Sequence, residues 1–429
     1  MTALNEEQLI DLALEVLKSS SVQSLGSQRD TPAARIREAA GIVLGEITSC
    51  SAEAIMELQS RQVLSNLIMA ANDSTMTAPS SIRGDTAPRC LGMLEAAASL
   101  LMFTWQHPAG AESELLDRLI EALDVGAVTY LFRALTFKMD WESRDKSAGG
   151  MKARAAGCRL ACCLFGIALT DDTSIGMRRL MESCDADQSS RRVSKGPRNL
   201  MEAVLTALQT SLTYAHKLMA GGADRGVHYH AALLDLVEAS LLATGSMCGS
   251  SVAPGGSEGT LITGDQFLVM RADEFESRRK EVCKVACDVV IRGGRSGPAL
   301  LPTMLVGGFG EGAVGASLRL ALSIAQNGSK DQHSKLASSG ILVPVSDILK
   351  AALTSGDLYK FSAALALVRF CGPYVASGTS GGIQSVRDAL KIATNVLTLP
   401  IDPAATASQV EVQESLKAEC VRSIESLSK

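Results

Sequence analysis

The sharpest chemical pattern in this 429-residue chain is Gly310-Glu311-Gly312-Ala313-Val314-Gly315. It fits G-x-G-x-x-G, follows the apolar run ALLPTMLV and opens the helical pattern ASLRLALSIA. Glycines at this spacing let a backbone approach a pyrophosphate at a helix N-terminus. That chemistry also needs a strand before the motif and an acidic residue about 20 positions on. Here helical patterns precede the motif, and the acidic position falls on Asp331 in a polar turn. A glycine-rich turn between helices is the simpler reading. A nucleotide-dependent enzyme is the alternative.

Other chemical residues read the same way. His228-Tyr229-His230, with His216 and Asp224 nearby, has the composition of a zinc site. HxH shares one face in a strand, whereas this segment starts a helix. Cys158/Cys162 and Cys283/Cys287 stand four apart inside apolar helical runs, where cysteine packs as a small hydrophobe. G-x-S-x-G occurs around Ser257, in a Gly/Ser-rich linker, and around Ser380, after the short run PYVA. A nucleophile elbow needs a buried strand before the serine and a helix after it. No Ser-His-Asp or Cys-His set can be assembled, so no catalytic residue, metal or cofactor is expected. Arg191-Arg192-Val193-Ser194 has the form of a basic-directed phosphorylation site at Ser194. A phosphate there would stand beside Arg191, Arg192, Lys195 and Arg198.

The elements that must position any site are helices. Hydrophobic residues make up 46% of the chain and aromatics 4%, so small aliphatic side chains carry the packing. Helical patterns run over 4–19, with Asn5 and Gln8 as a capping pair and Leu9, Leu12, Leu14 and Leu17 as its apolar side. Others cover 33–49, 52–72 with a bend near Arg61-Gln62, 90–105, 113–135 with a bend at Gly126, 152–169, 199–219, 229–245 and 274–291. Polar Gly/Ser/Pro insertions are expected at 73–88, 183–198 and 246–266. With 41 basic and 46 acidic residues the net charge is −5, which excludes the basic footprint of nucleic-acid binding. No apolar run approaches the length of a membrane span. Eleven dilute cysteines and a polar start at Met1 indicate a reducing compartment, cytoplasmic or nuclear.

One stretch organises the rest. Residues 333–372 read as a short helix, a bend at Gly340, a second helix, a turn at Ser355-Gly356-Asp357 and a third helix. Val345, Ile348, Leu349, Ala352 and Leu353 follow the i, i+3, i+4, i+7, i+8 spacing of a buried face, and Phe361, Ala364, Leu365, Val368 and Cys371 do nearly the same. Pro344 suits a helix's first turn, Gly356 a C-terminus and Asp357 an N-cap. Gly382-Ile383 opens another unit 42 residues after Gly340-Ile341. Helices that cannot cover their own apolar faces must stack.

With its Gly-Ile bend, its proline in the second helix and its AALALVRF third helix, this unit resembles an armadillo repeat. The resemblance implies an all-α, right-handed armadillo/HEAT-like α-solenoid over 1–429, and a scaffold or adaptor that binds a protein or peptide segment on its concave face. A helical subunit of a trafficking, chaperone or cytoskeletal assembly would use the same architecture. Armadillo proteins that bind nuclear-import signals resemble one another in a Trp/Asn ladder. This chain has Leu365 and Arg369 in one such place and Cys162 and Gly166 in another, while Trp105 and Trp141 fall off it, which points to a different partner. Third-helix positions free of inward packing, Glu46, Lys360, Arg369 and Arg422, are the expected groove residues. Titration with nicotinamide and flavin nucleotides separates the binding and enzyme readings. The expected outcome is no saturable binding; saturation would favour the glycine motif at 310–315.

Overall fold

The computed structural model describes residues 6–20, 32–61, 63–76, 90–106, 112–137, 139, 144–170, 175–181, 197–221, 227–249, 273–292, 300–376, 380–400 and 407–428. The insertion residues 77–88, 183–196 and 250–266 lie outside them, as do Asn5, Trp141, Ser194, Asp224 and Ser257. The described residues are all-α, with no strand among them. They form two compact units, one of Met1–Tyr214 with Leu218–Ala243 and one of Ala215–Lys217 with Thr244–Lys429.

The first unit opens with α1 (Glu6–Ser20), α2 (Pro32–Cys50), α3 (Ala52–Ser60), α4 (Leu64–Met76) and α5 (Leu91–Gln106). It continues with α6 (Glu112–Asp124), α7 (Ala127–Thr136), α8 (Arg144–Ala168) and α9 (Ile175–Leu180). It also holds most of α10 (Leu200–Gly221) and α11 (Val227–Met247). Two pairs of helices start from predictable chemistry. Ser51 caps α3 by accepting from the Ala54 amide at 3.1 Å. Gly126 turns the chain between α6 and α7 with φ 83°, a left-handed conformation that glycine adopts without Cβ strain.

Packing of this unit rests on absent side chains. Gly92 of α5 sits so close to α2 that a Cβ there would stand 2.2 Å from the Gly41 carbonyl oxygen. A Cβ on Gly166 of α8 would fall 2.0 Å from the Trp105 ring of α5. The centre of α8 is almost wholly buried, with Cys158, Leu160, Cys162, Cys163, Leu164 and Phe165 at 0% exposure.

The second unit holds α12 (Asp273–Arg292), α13 (Leu300–Leu305), α14 (Glu311–Asn327), α15 (Lys330–Ser338), α16 (Leu342–Ser355), α17 (Leu358–Cys371), α18 (Ser380–Thr398) and α19 (Ala407–Leu427). A 3-10 turn at Gly372–Tyr374 follows α17. Ser329 and Gln332 form a capping box at the start of α15. Gly340, with φ 86°, bends α15 against α16 by 82°. Gly356 ends α16 with φ 76°, and Asp357 caps α17 by accepting from the Lys360 amide at 2.9 Å. The helix–bend–helix–turn–helix order read at 333–372 is therefore present as α15–α16–α17, and α6, bent at Gly126 into α7 and followed by α8, gives a second succession of three helices.

Three expectations change. Leu353 is 42% exposed, because it stands beside rather than within the buried stripe of Val345, Leu349 and Ala352. Leu12 is 52% exposed for the same reason: the buried side of α1 is Ile10, Ala13, Leu14 and Leu17, a cleaner 3.6-residue stripe. On α17, Ser362, Ala363, Ala366 and Leu367 are buried along with the expected face. Neighbours cover it on several sides, among them α14, α16 and α19. Charged pairs then fix neighbouring helices against one another: Asp11 with Arg61, Asp124 with Arg179 at 2.7 Å, Asp288 with Lys335 at 3.2 Å, and Asp388 with Lys350 at 2.7 Å. Exposed pairs of this kind contribute about 1 kcal/mol or less each, so they set register more than stability.

The glycine contacts give a paired test by chemical denaturation. Gly92→Ala is expected to destabilise the protein by about 1–3 kcal/mol, since the obstruction is backbone that cannot swing away. Gly315→Ala, in α14 with nothing within 4 Å of the added methyl, is expected to stabilise by about 0.4–1 kcal/mol.

Candidate partner-binding surface

In the first unit, four helices carry charge on a common theme. On α8 the run of buried residues leaves Lys152 exposed and Arg159 half-buried, seven positions apart and so on one side of the helix. Asp235 and Glu238 of α11 are half-buried and three apart. Glu95 is half-buried on α5, and Glu46 is exposed on α2. Gly45 makes room between them: a Cβ at that glycine would lie 3.3 Å from Oε2 of Glu95.

Arg159 joins α8 to α11. Its Nη2 donates to Oδ1 of Asp235 and its Nη1 to Oδ2 at 3.4 Å, a two-pronged pair with both side chains about one-third exposed. Burial works against the guanidinium's charge, but Asp235, then Glu238 and Glu95, outweigh it and raise the Arg159 pKa. Burial is the main cause that raises Glu95; Asp235 and Glu46 add to it, while Arg159 and Lys152 oppose it. Glu238 is raised by burial first and by Asp235, again against Arg159. Six residues on four helices thus form one electrostatically linked stripe, four carboxylates against two cations.

Of the groove residues expected from the sequence, Glu46 belongs to this stripe. The others lie in the second unit. Lys360 pairs with Asp357 at 3.2 Å in the first turn of α17. Arg369 of α17 and Arg422 of α19 converge on the fully buried Glu419, at 3.1 and 2.8 Å. Glu95, Arg159, Asp235 and Glu238 are absent from the sequence-based set. Arg159 had a visible signal, as the single charge in the run AAGCRLACCLFGIAL. Asp235 and Glu238 had none, because an acidic residue on a helix is ordinarily just solvated.

The remaining patterns resolve as follows. Within the run ALLPTMLV, Leu300–Leu305 form the helix α13 and not a strand, so the glycine motif lacks the element that would aim it at a nucleotide. Gly310 stands before α14 with φ 91°, and Glu311 places a carboxylate in the first turn, where a phosphate would have to sit. His228 and His230 are exposed at the start of α11, and Tyr229 between them is buried. The described cysteines are free thiols, all buried except Cys50. Burial pushes Cys90 up to about 11 and Cys158, Cys287, Cys371 and Cys420 up to about 12, which keeps these thiols protonated at neutral pH.

No protein-family model matches the chain, and no curated protein matches it. Among solved structures, two crystal structures of engineered proteins from the Northeast Structural Genomics Consortium align along nearly the whole length. One is 11% identical over 96% of this chain and 97% of that chain, with a TM-score of 0.29. The other is 15% identical over 99% and 100%, with a TM-score of 0.24. Similarity at this level carries no argument about fold or function.

The raised carboxyl pKa of Glu95 has a definite sign. The folded state holds its proton more tightly than the unfolded chain does. Stability therefore falls as pH rises from the ordinary carboxylate range through the raised folded value. Glu95→Gln removes that penalty. The variant is expected to be at least as stable as the parent at pH 7 in urea titrations, with the advantage vanishing below about pH 4, where both states are protonated.

Proposed function

We propose that the chain is an armadillo/HEAT-like α-solenoid that serves as an interaction scaffold or adaptor, holding a partner segment against α2, α5, α8 and α11. Support for the architecture comes from the helix–bend–helix–turn–helix order, with left-handed glycines at 126, 340 and 356. The observation that carries the binding reading is the linked stripe of Glu46, Glu95, Arg159, Asp235 and Glu238. Carboxylates held half out of water, with burial opposing their charge, gain more from a cationic partner group than freely solvated ones do. The Arg159–Asp235 pair sits among them as a fixed hydrogen-bonding bar. Such a surface suits a polar protein or peptide segment carrying Lys or Arg, with selectivity set by charge position more than by apolar area. The ten cysteines among the described residues are free thiols, which fits residence in the cytosol or nucleus. Among the described residues, no single helix is long and apolar enough to cross a membrane.

Affinity capture with mass spectrometry identifies the partner, and a charge reversal tests the surface. Glu46→Lys with Glu238→Lys is expected to weaken capture at least tenfold and to flatten its salt dependence. Undiminished binding by the folded double variant would rule this surface out. Arg369→Glu is unsuited to the purpose, since it sets a carboxylate against buried Glu419.

A further inference from the structure

Three arginines among the described residues are buried: Arg154, Arg279 and Arg319. Two of them are held. Arg154 donates to the Phe137 carbonyl and lies over that residue's ring, and Arg319 of α14 donates to Oγ of Ser246 at 3.2 Å. Arg279 of α12 differs. It is only 9% exposed, and its Nε and Nη1 are buried without a hydrogen-bond partner. A guanidinium does not shed its proton in a protein, so deprotonation cannot relieve the burial. An uncompensated buried charge is among the costliest groups a fold can hold. The missing counterpart is an anion.

The described neighbours of Arg279 do not supply one. Arg279 heads the buried side of α12, followed by Cys283, Ala286, Cys287 and Val290 at helical spacing. One turn along, Sγ of Cys283 donates to the Cys248 carbonyl at 3.7 Å, and the charge of Arg279 reaches the Cys248 thiol. Burial, reinforced by Cys283 and Cys287, raises the Cys248 pKa well above the ordinary thiol value, against the pull of Arg279. That sulfur is therefore neutral and no counter-charge. The acids that follow on α12, Glu281 and Asp288, are engaged by Lys284 at 3.9 Å and Lys335 at 3.2 Å. We propose that Arg279, beside Cys248 and Cys283, is the seat of a small oxyanion, a phosphate or carboxylate group. Planar N–H donors suit such a group because they direct charge-assisted hydrogen bonds to its separate oxygens. The site lies wholly within the second unit, independent of the stripe on the first. Its occupant supplies the charge that the surrounding side chains lack, so binding is linked to stability.

Thermal melts of the full chain in inorganic phosphate, in acetate and in chloride, at equal ionic strength, test this. Wild type is expected to show a saturable rise in melting temperature in phosphate or acetate over chloride. Whichever saturates at the lower concentration identifies the class of oxyanion. Arg279→Met, which replaces the cation by an apolar side chain, is expected to lose the saturable rise. It keeps only the unsaturable stabilisation that phosphate gives proteins through exclusion from their surface. No saturable rise in wild type, or one of equal size in the variant, overturns the proposal. Should Arg279→Met fail to fold, equilibrium dialysis of labelled phosphate and acetate against wild type and Arg279→Lys decides the matter. Uptake by the lysine variant is expected to be about tenfold weaker, since the ammonium lacks the planar donor array. Equal uptake by the two proteins, or none by wild type, overturns it.

Discussion

Close approach of helix backbones is the constraint on which the first unit depends. With so few aromatic residues the chain cannot fill wide gaps between helices, so the helices must come together until main chain meets main chain. Gly92 lies against the Gly41 carbonyl and Gly166 lies under the Trp105 ring. The charged stripe follows from this geometry. Gly45 brings Glu95 of α5 up against α2, and the same tightness withdraws Glu95 from solvent. A wider spacing would leave Glu95 an ordinary surface carboxylate.

Charge is handled in three ways in this molecule, distinguished by depth. Exposed pairs such as Lys350–Asp388 lock the relative positions of helices at small energetic weight. Half-buried groups such as Glu95 and Glu238 keep part of their desolvation penalty. Two of the deeply buried groups are held by specific partners. Arg154 lies over the Phe137 ring at 4.6 Å and donates to the Phe137 carbonyl, while burial lowers its pKa to about 10, still well above neutral. Glu419 has two arginines. Removing one partner of a buried charge typically costs more than the pair ever contributes, so these places are sensitive in a way that the exposed pairs are not.

Much of the fold was legible because backbone chemistry announces itself. Gly126, Gly340 and Gly356 mark turns that require left-handed φ, and Asp357 marks a helix start; each acts as its residue type predicts. Periodicity located the helices but misjudged faces. Leu12 and Leu353 satisfy a hydrophobic pattern and still face solvent, since neighbouring helices, which a single-helix pattern does not contain, decide the width of a buried stripe. The short helices α9 and α13 went unread because six residues hold fewer than two turns of pattern. The candidate surface was the least legible part. Glu46 was reached through its place on a third helix, whereas Asp235 and Glu238 matter through Arg159, 76 residues from Asp235 in sequence. Pairings across helices leave no trace in spacing.

Those sequence separations have a consequence for how the chain acquires its structure. The cross-helix ion pairs named above join residues 38 to 76 positions apart in a chain of 429. Loop closure over such spans is entropically modest, and topologies dominated by near-neighbour contacts fold quickly for their size. In the repeat array proposed above, helices are added one neighbour at a time, each docking on a finished surface. An error in one helix of that array stays with the elements it touches.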